Sequence, residues 1–122
     1  MKIAITGATS GIGAEKVKAL APLCEQIFLL VRSEKKALSL IESLPSPSSK
    51  FTIIYCDLSD LNSVAKAARS LADKTKNLDV LINNAGGIFP EKEITKDGHE
   101  LTFSVNHLGH FLLTQLTLPL LL

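Results

Sequence analysis

Cysteine is scarce in this chain of 122 residues: Cys24 and Cys56 stand alone, with no C-x-x-C spacing. Two thiols are too few for the disulfide scaffold of a small secreted domain, and they point to a reducing, cytoplasmic setting. A charge excess is missing as well, since 13 Lys and Arg face 12 Asp and Glu for a net +1. That balance argues against a dedicated nucleic-acid binder, which gathers a basic surplus on one face. Nor is there an apolar run of the ~20 residues that a membrane span needs. The most hydrophobic stretch, Leu108 to Leu122, is interrupted by His110, Thr114, Gln115, Thr117 and Pro119. The opening residues MKIAIT have no signal-peptide anatomy. What remains is 46% apolar and 20% charged, a globular composition rather than a disordered one, and of a length for one domain at most.

Four short apolar runs recur, at Lys2–Thr6, Ile27–Val31, Phe51–Cys56 and Leu78–Ile82. Each has the length of a strand that is apolar on both faces, as in a parallel sheet covered on both sides. Segments of helical character alternate with them. Ile12, Val17, Leu20 and Leu23 form one stripe, and Leu38, Ile41 and Leu44 a second. Leu61, Val64, Ala65, Ala68, Leu71 and Ala72 form a third. Before that third stripe, Ser59 or Asp57 offers an N-cap. Pro45 to Lys50 reads as a turn within the domain, not as a boundary. The rhythm predicts an α/β fold of the Rossmann type, a doubly wound parallel sheet in one domain over residues 1–122. A long helix is expected from about His99 toward Pro119. With it the sheet would stop after four strands, incomplete at its C-terminal end.

Chemistry concentrates first in Thr6-Gly7-Ala8-Thr9-Ser10-Gly11-Ile12-Gly13, between the first strand and the first helix. Gly7 permits a tight turn, Gly11 lets backbone approach a pyrophosphate, and Gly13 allows close helix–strand packing. Free N–H groups at the helix start would face the anion. An ordinary glycine-rich turn is the competing reading, and the placement at the first βα junction weighs against it. No Gly-Lys-Ser/Thr follows, so a Walker A loop is excluded.

Together with Asn83-Asn84-Ala85-Gly86 and Ser104-Val105-Asn106-His107-Leu108-Gly109-His110-Phe111, this motif resembles the short-chain dehydrogenase/reductase family. The stretch from Asp97 to Leu122 is similar to its retinol-dehydrogenase-like members. The resemblance implies that Thr9, Ser10, Gly11 and Ile12 hold the dinucleotide phosphates. Asp57 and Leu58 would border the adenine, and Asn84, Ala85 and Gly86 would line the cofactor ribose. Asn83 would tie neighbouring strands together. Asn106 matches the family's catalytic helix asparagine, which supports a water-mediated proton relay. The family's long helix packs against another subunit, so a homo-oligomer is expected of the full-length protein.

The departure from the family is equally plain. Its acid/base tyrosine belongs to a Tyr-x-x-x-Lys motif, whereas the single tyrosine here, Tyr55, is followed four positions later by Ser59. The resemblance therefore implies the cofactor-binding half of an oxidoreductase, inactive alone, whose whole form acts on a small-molecule carbonyl or alcohol. The alternative is a non-catalytic dinucleotide-binding module or pseudoenzyme fragment. His99, Glu100, His107 and His110 do not converge on one helical stripe, so no metal site is expected. At the end of the second strand, NAD users place an acid for the ribose 2′-OH. Val31, Arg32 and Ser33 stand there instead, and a guanidinium suits a 2′-phosphate. NADP is expected over NAD.

Overall fold

The computed structural model describes residues 1–9, 11–87 and 89–122. Strands β1 (Lys2–Thr6), β2 (Gln26–Val31), β3 (Phe51–Tyr55) and β4 (Val80–Ile82) form one parallel sheet in the order β3-β2-β1-β4. The chain steps outward from β1 to β3 and then returns to the other side of β1. Two loops thus leave the adjoining strand ends in opposite directions, and a crevice opens between them.

The alternation of side chains along each strand builds two cores. Ile3, Ile5, Ile27 and Leu29 meet Val17 of α1 (Gly11–Leu20) and Ala37 and Ile41 of α2 (Glu34–Ser43). Ala4, Phe28, Leu30 and Ile54 face the other way. They pack against Val64, Ala68 and Leu71 of α3 (Leu61–Lys74) and Leu113 of α5 (Gly109–Leu121). The result is a three-layer α/β arrangement, as the alternating apolar runs require.

Several local expectations are corrected. The N-cap of α3 is Asp60, whose carboxylate accepts from the N–H groups of Asn62 and Ser63. Asp57 is engaged elsewhere, accepting from Ser59 N at 3.0 Å and Ser59 Oγ at 2.7 Å, so neither Asp57 nor Ser59 caps the helix. The stripes of the first two helices hold only in part. Val17 and Ile41 are buried and Leu20 and Leu44 pack against the core, whereas Ile12, Leu23 and Leu38 are exposed and the small Gly13 and Ala37 are buried in addition. Helix α1 stops at Leu20, where Pro22 enforces a 3₁₀ turn over Ala21–Leu23. Strand β4 starts at Val80 instead of Leu78, since the Leu78 N–H is drawn to the Leu120 carbonyl at 2.7 Å.

The long C-terminal helix begins at Leu101, not His99. A short first turn, α4 (Leu101–Phe103), leads into a π-helical turn over Ser104–Leu108 before α5 resumes. At the junction Gly109 lies against β3's exit: a Cβ there would stand 2.6 Å from the Leu58 carbonyl oxygen. No helix among the described residues is long and apolar enough to cross a membrane.

Candidate functional site

The glycine turn leaves β1 with Gly7 at φ 66° and enters α1 with Gly11 at φ 57°, both in the left-handed region that glycine occupies without strain. A Cβ on Gly7 would fall 2.6 Å from the Ala85 Cα, so the turn after β1 and the loop after β4 touch backbone to backbone. Gly13 is closer still, its missing Cβ replaced by the Gly7 carbonyl and the Asn84 amide. Gly11 differs. Nothing lies within 4 Å of the position its Cβ would take, and its backbone borders open space.

The loop after β4 is stitched down by hydrogen bonds. Thr6 Oγ1 accepts from the N–H groups of Asn84 and Ala85, each at 3.0 Å. Asn84 Nδ2 donates to the Gly7 carbonyl at 3.1 Å, and Lys16 Nζ donates to Asn84 Oδ1 at 3.0 Å. Asn84 and Thr6 therefore join the strand ends, the part the sequence assigned to Asn83. Asn83 instead donates to Thr114 Oγ1 of α5 at 3.0 Å, a correction that follows from its place on the helix side of the loop. Farther along, Asn106 holds Gly87 by both backbone groups. Its Oδ1 accepts from Gly87 N at 2.9 Å and its Nδ2 donates to Gly87 O at 2.7 Å. The side chain of Asn106 is thus engaged with the loop.

One open cleft of about 550 Å³ is lined by the described cofactor-binding positions derived from the sequence, and Asn106 is not among its lining residues. Gly7, Thr9, Gly11, Ile12 and Gly13 line it from the glycine turn, Arg32 and Ser33 from the end of β2, Asp57 and Leu58 from the end of β3, and Asn84, Ala85 and Gly86 from beyond β4. Ser10 lies outside the described residues. Four strand ends contribute, which is why no single stretch of sequence contains the site. Ser33 caps α2 by accepting from Lys36 N at 3.2 Å, and the Arg32 side chain is exposed at the rim.

Sequence reasoning missed Lys36, Cys56, Ser59, Phe89, Leu101 and Val105, which also line the cleft. Lys36 carried a signal, four residues beyond Arg32 in the first turn of a helix. The others reach the cleft only through the fold. Burial pushes the Cys56 thiol up to about 12, so this sulfur is a protonated wall group at neutral pH and not a nucleophile. His107 lies between the rings of Phe103 and Phe111, at centroid distances of 5.3 and 6.2 Å. Among the described residues no three His, Cys, Asp or Glu side chains gather as a metal site.

Comparison with known proteins gives this cleft its context. The family profile described as short chain dehydrogenase matches residues 1–122. A short chain dehydrogenase/reductase of Colletotrichum higginsianum, dpchH, is 42% identical over 96% of this chain and 30% of its own length. Human retinol dehydrogenase 11 is 37% identical over 95% of this chain and 37% of its own length. Among solved structures, NADPH-bound carbonyl reductase from chicken fatty liver superposes with a TM-score of 0.78 at 30% identity, over 98% of this chain and 50% of that one. The chain thus spans half or less of the length of these relatives. The profile match runs through the glycine turn, the Asn-Asn-Ala-Gly loop and the helix of Asn106 without a break, and the chain belongs to the short-chain dehydrogenase/reductase family.

Proposed function

We propose that this chain is the NADP(H)-binding part of an oxidoreductase that exchanges a hydride with a carbonyl or alcohol carbon. The observation that carries the reading is the end of β2. Val31, buried and with a side chain that cannot accept a hydrogen bond, occupies the place of an acid, and Arg32, Ser33 and Lys36 follow it into the same cleft as the glycine turn. Two cations and a hydroxyl suit a 2′-phosphate, which an acid would repel.

The residues present fit a dinucleotide. The open space beside Gly11 admits a pyrophosphate against backbone, and the start of α1 supplies N–H groups. Asp57 and Leu58 would flank the adenine, and Asn84, Ala85 and Gly86 the second ribose. When bound, the nicotinamide supplies the hydride. This chain's own residues bind it, orient it and keep the loop after β4 in register with the glycine turn. The kinship with retinol dehydrogenase 11 supports an apolar substrate. Exposed Phe103, Phe111, Leu116 and Leu118 along the last helix support self-association of the full-length protein.

The test is a pair of titrations. Arg32→Ala is expected to weaken NADPH binding by roughly 10- to 100-fold, the loss of a charge-assisted hydrogen bond of ~1.5–3 kcal/mol. NADH binding should stay within about twofold. Equal losses for both cofactors, or none, would reduce Arg32 to a solvated surface group.

A further inference from the structure

His110 is buried at 6% exposure, and nothing in the proposed cofactor binding uses it. Its Nε2 lies 2.7 Å from Thr6 Oγ1. That hydroxyl already accepts two N–H bonds, from Asn84 and from Ala85. A hydroxyl has two lone pairs and one proton, so its proton is what remains for the imidazole. Nε2 must therefore accept, which places the ring's own proton on Nδ1. The backbone carbonyl of Asn106, one turn earlier on the same helix, is the ring's hydrogen-bonding neighbour. Desolvation by burial holds the His110 pKa below its usual value, outweighing that carbonyl, and its neighbours Thr6, Asn84, Ala85 and Asn106 carry no charge.

These contacts close a ring. From the Asn106 carbonyl it passes through His110 to Thr6, and from Thr6 to the amides of Asn84 and Ala85. Two residues later, Gly87 is held by the Asn106 side chain. We propose that His110 is a positioning residue of the cleft: as a neutral, Nδ1-protonated imidazole it aims the Thr6 hydroxyl and so sets the loop 84–87 against the glycine turn. An imidazole protonated at Nε2 would present a third donor to an oxygen with no lone pair to spare, and one loop amide would lose its acceptor. The link to cofactor binding rests on the function proposed above; the tautomer and the loop anchoring do not.

Nitrogen-detected NMR of the imidazoles in the 122-residue chain at neutral pH reads the tautomer directly. The expected result is His110 neutral with the proton on Nδ1. An Nε2–H or doubly protonated ring would overturn the proposal. Amide exchange gives the second readout. In His110→Phe the amides of Asn84 and Ala85 should exchange at least about tenfold faster than in wild type, while those of β2 and α3 keep their rates. In His110→Gln, whose amide oxygen can accept the Thr6 proton, protection should return. NADPH affinity should follow the same order, roughly tenfold weaker in the Phe variant and restored with Gln. Unchanged protection in the Phe variant, or no rescue by Gln, would refute the positioning role. A wild-type chain that shows the Nδ1–H tautomer and the protected amides yet binds neither dinucleotide would refute the cofactor assignment instead.

Discussion

A Cβ at Gly13 would stand 2.0 Å from the Gly7 carbonyl oxygen and 2.5 Å from Asn84 Nδ2, both fixed groups. At Gly11 a Cβ would meet nothing within 4 Å, and only the φ of 57° disfavours a side chain. The two substitutions therefore fail for different reasons and by different amounts. Gly13→Ala should lower unfolding free energy by about 3 kcal/mol, the upper end of the usual overpacking penalty. Gly11→Ala should lose about 1 kcal/mol, the cost of left-handed backbone for an L residue. Urea unfolding of both variants measures the gap, and equal losses would contradict the steric account. The motif pattern exposed both glycines; it could not say which was crowded, because the crowding atoms belong to a turn and to a loop 71 positions away in the chain (Gly13 to Asn84).

Helix α3 shows how far an amphipathic pattern carries. Its apolar stripe was legible, and Val64, Ala68 and Leu71 are buried against the sheet as that stripe implies. Leu71 is fully buried, so Leu71→Ala should cost about 2–5 kcal/mol. On α5 the exposed Leu118 should change stability by no more than about 0.5 kcal/mol when replaced by alanine. Denaturant midpoints with unchanged slopes test the pair; a Leu118 loss as large as that of Leu71 would mean this face is covered in solution. The ends of the helix were less legible. Asp57, Ser59 and Asp60 are all chemically competent caps, and the choice fell to Asp60 because the turn after β3 engages the other two with each other.

Over the molecule as a whole, the cleft gathers the glycine turn and four strand ends but no tyrosine. Tyr55 is exposed on the edge strand β3 and is not among the residues lining the cleft. A general acid must reach its substrate within hydrogen-bond distance. A preparation whose mass matches 122 residues should accordingly bind NADPH yet show no consumption of it with simple carbonyls above the buffer blank, followed by absorbance. Steady turnover would mean that a group other than tyrosine supplies the proton.

The apolar runs and the glycine spacing were enough to read an α/β parallel sheet and a glycine turn suited to a phosphate, the end of the second strand pointed to Arg32, and only the family resemblance singled out Asp57 and Asn84, which the fold brings to the same cleft. Such features are local: a strand needs apolar alternation, and a βα turn needs glycine where the backbone bends back. What the tertiary structure decided was pairing. Asn83 and Asn84 are adjacent and chemically identical, yet one reaches α5 and the other the Gly7 carbonyl, since successive side chains leaving a strand point to opposite faces. Thr6 and His110 are 104 positions apart, and neither suggests the other in one dimension. Only the return of β4 beside β1, with α5 packed beneath, brings them to 2.7 Å and leaves the hydroxyl a single place to put its proton.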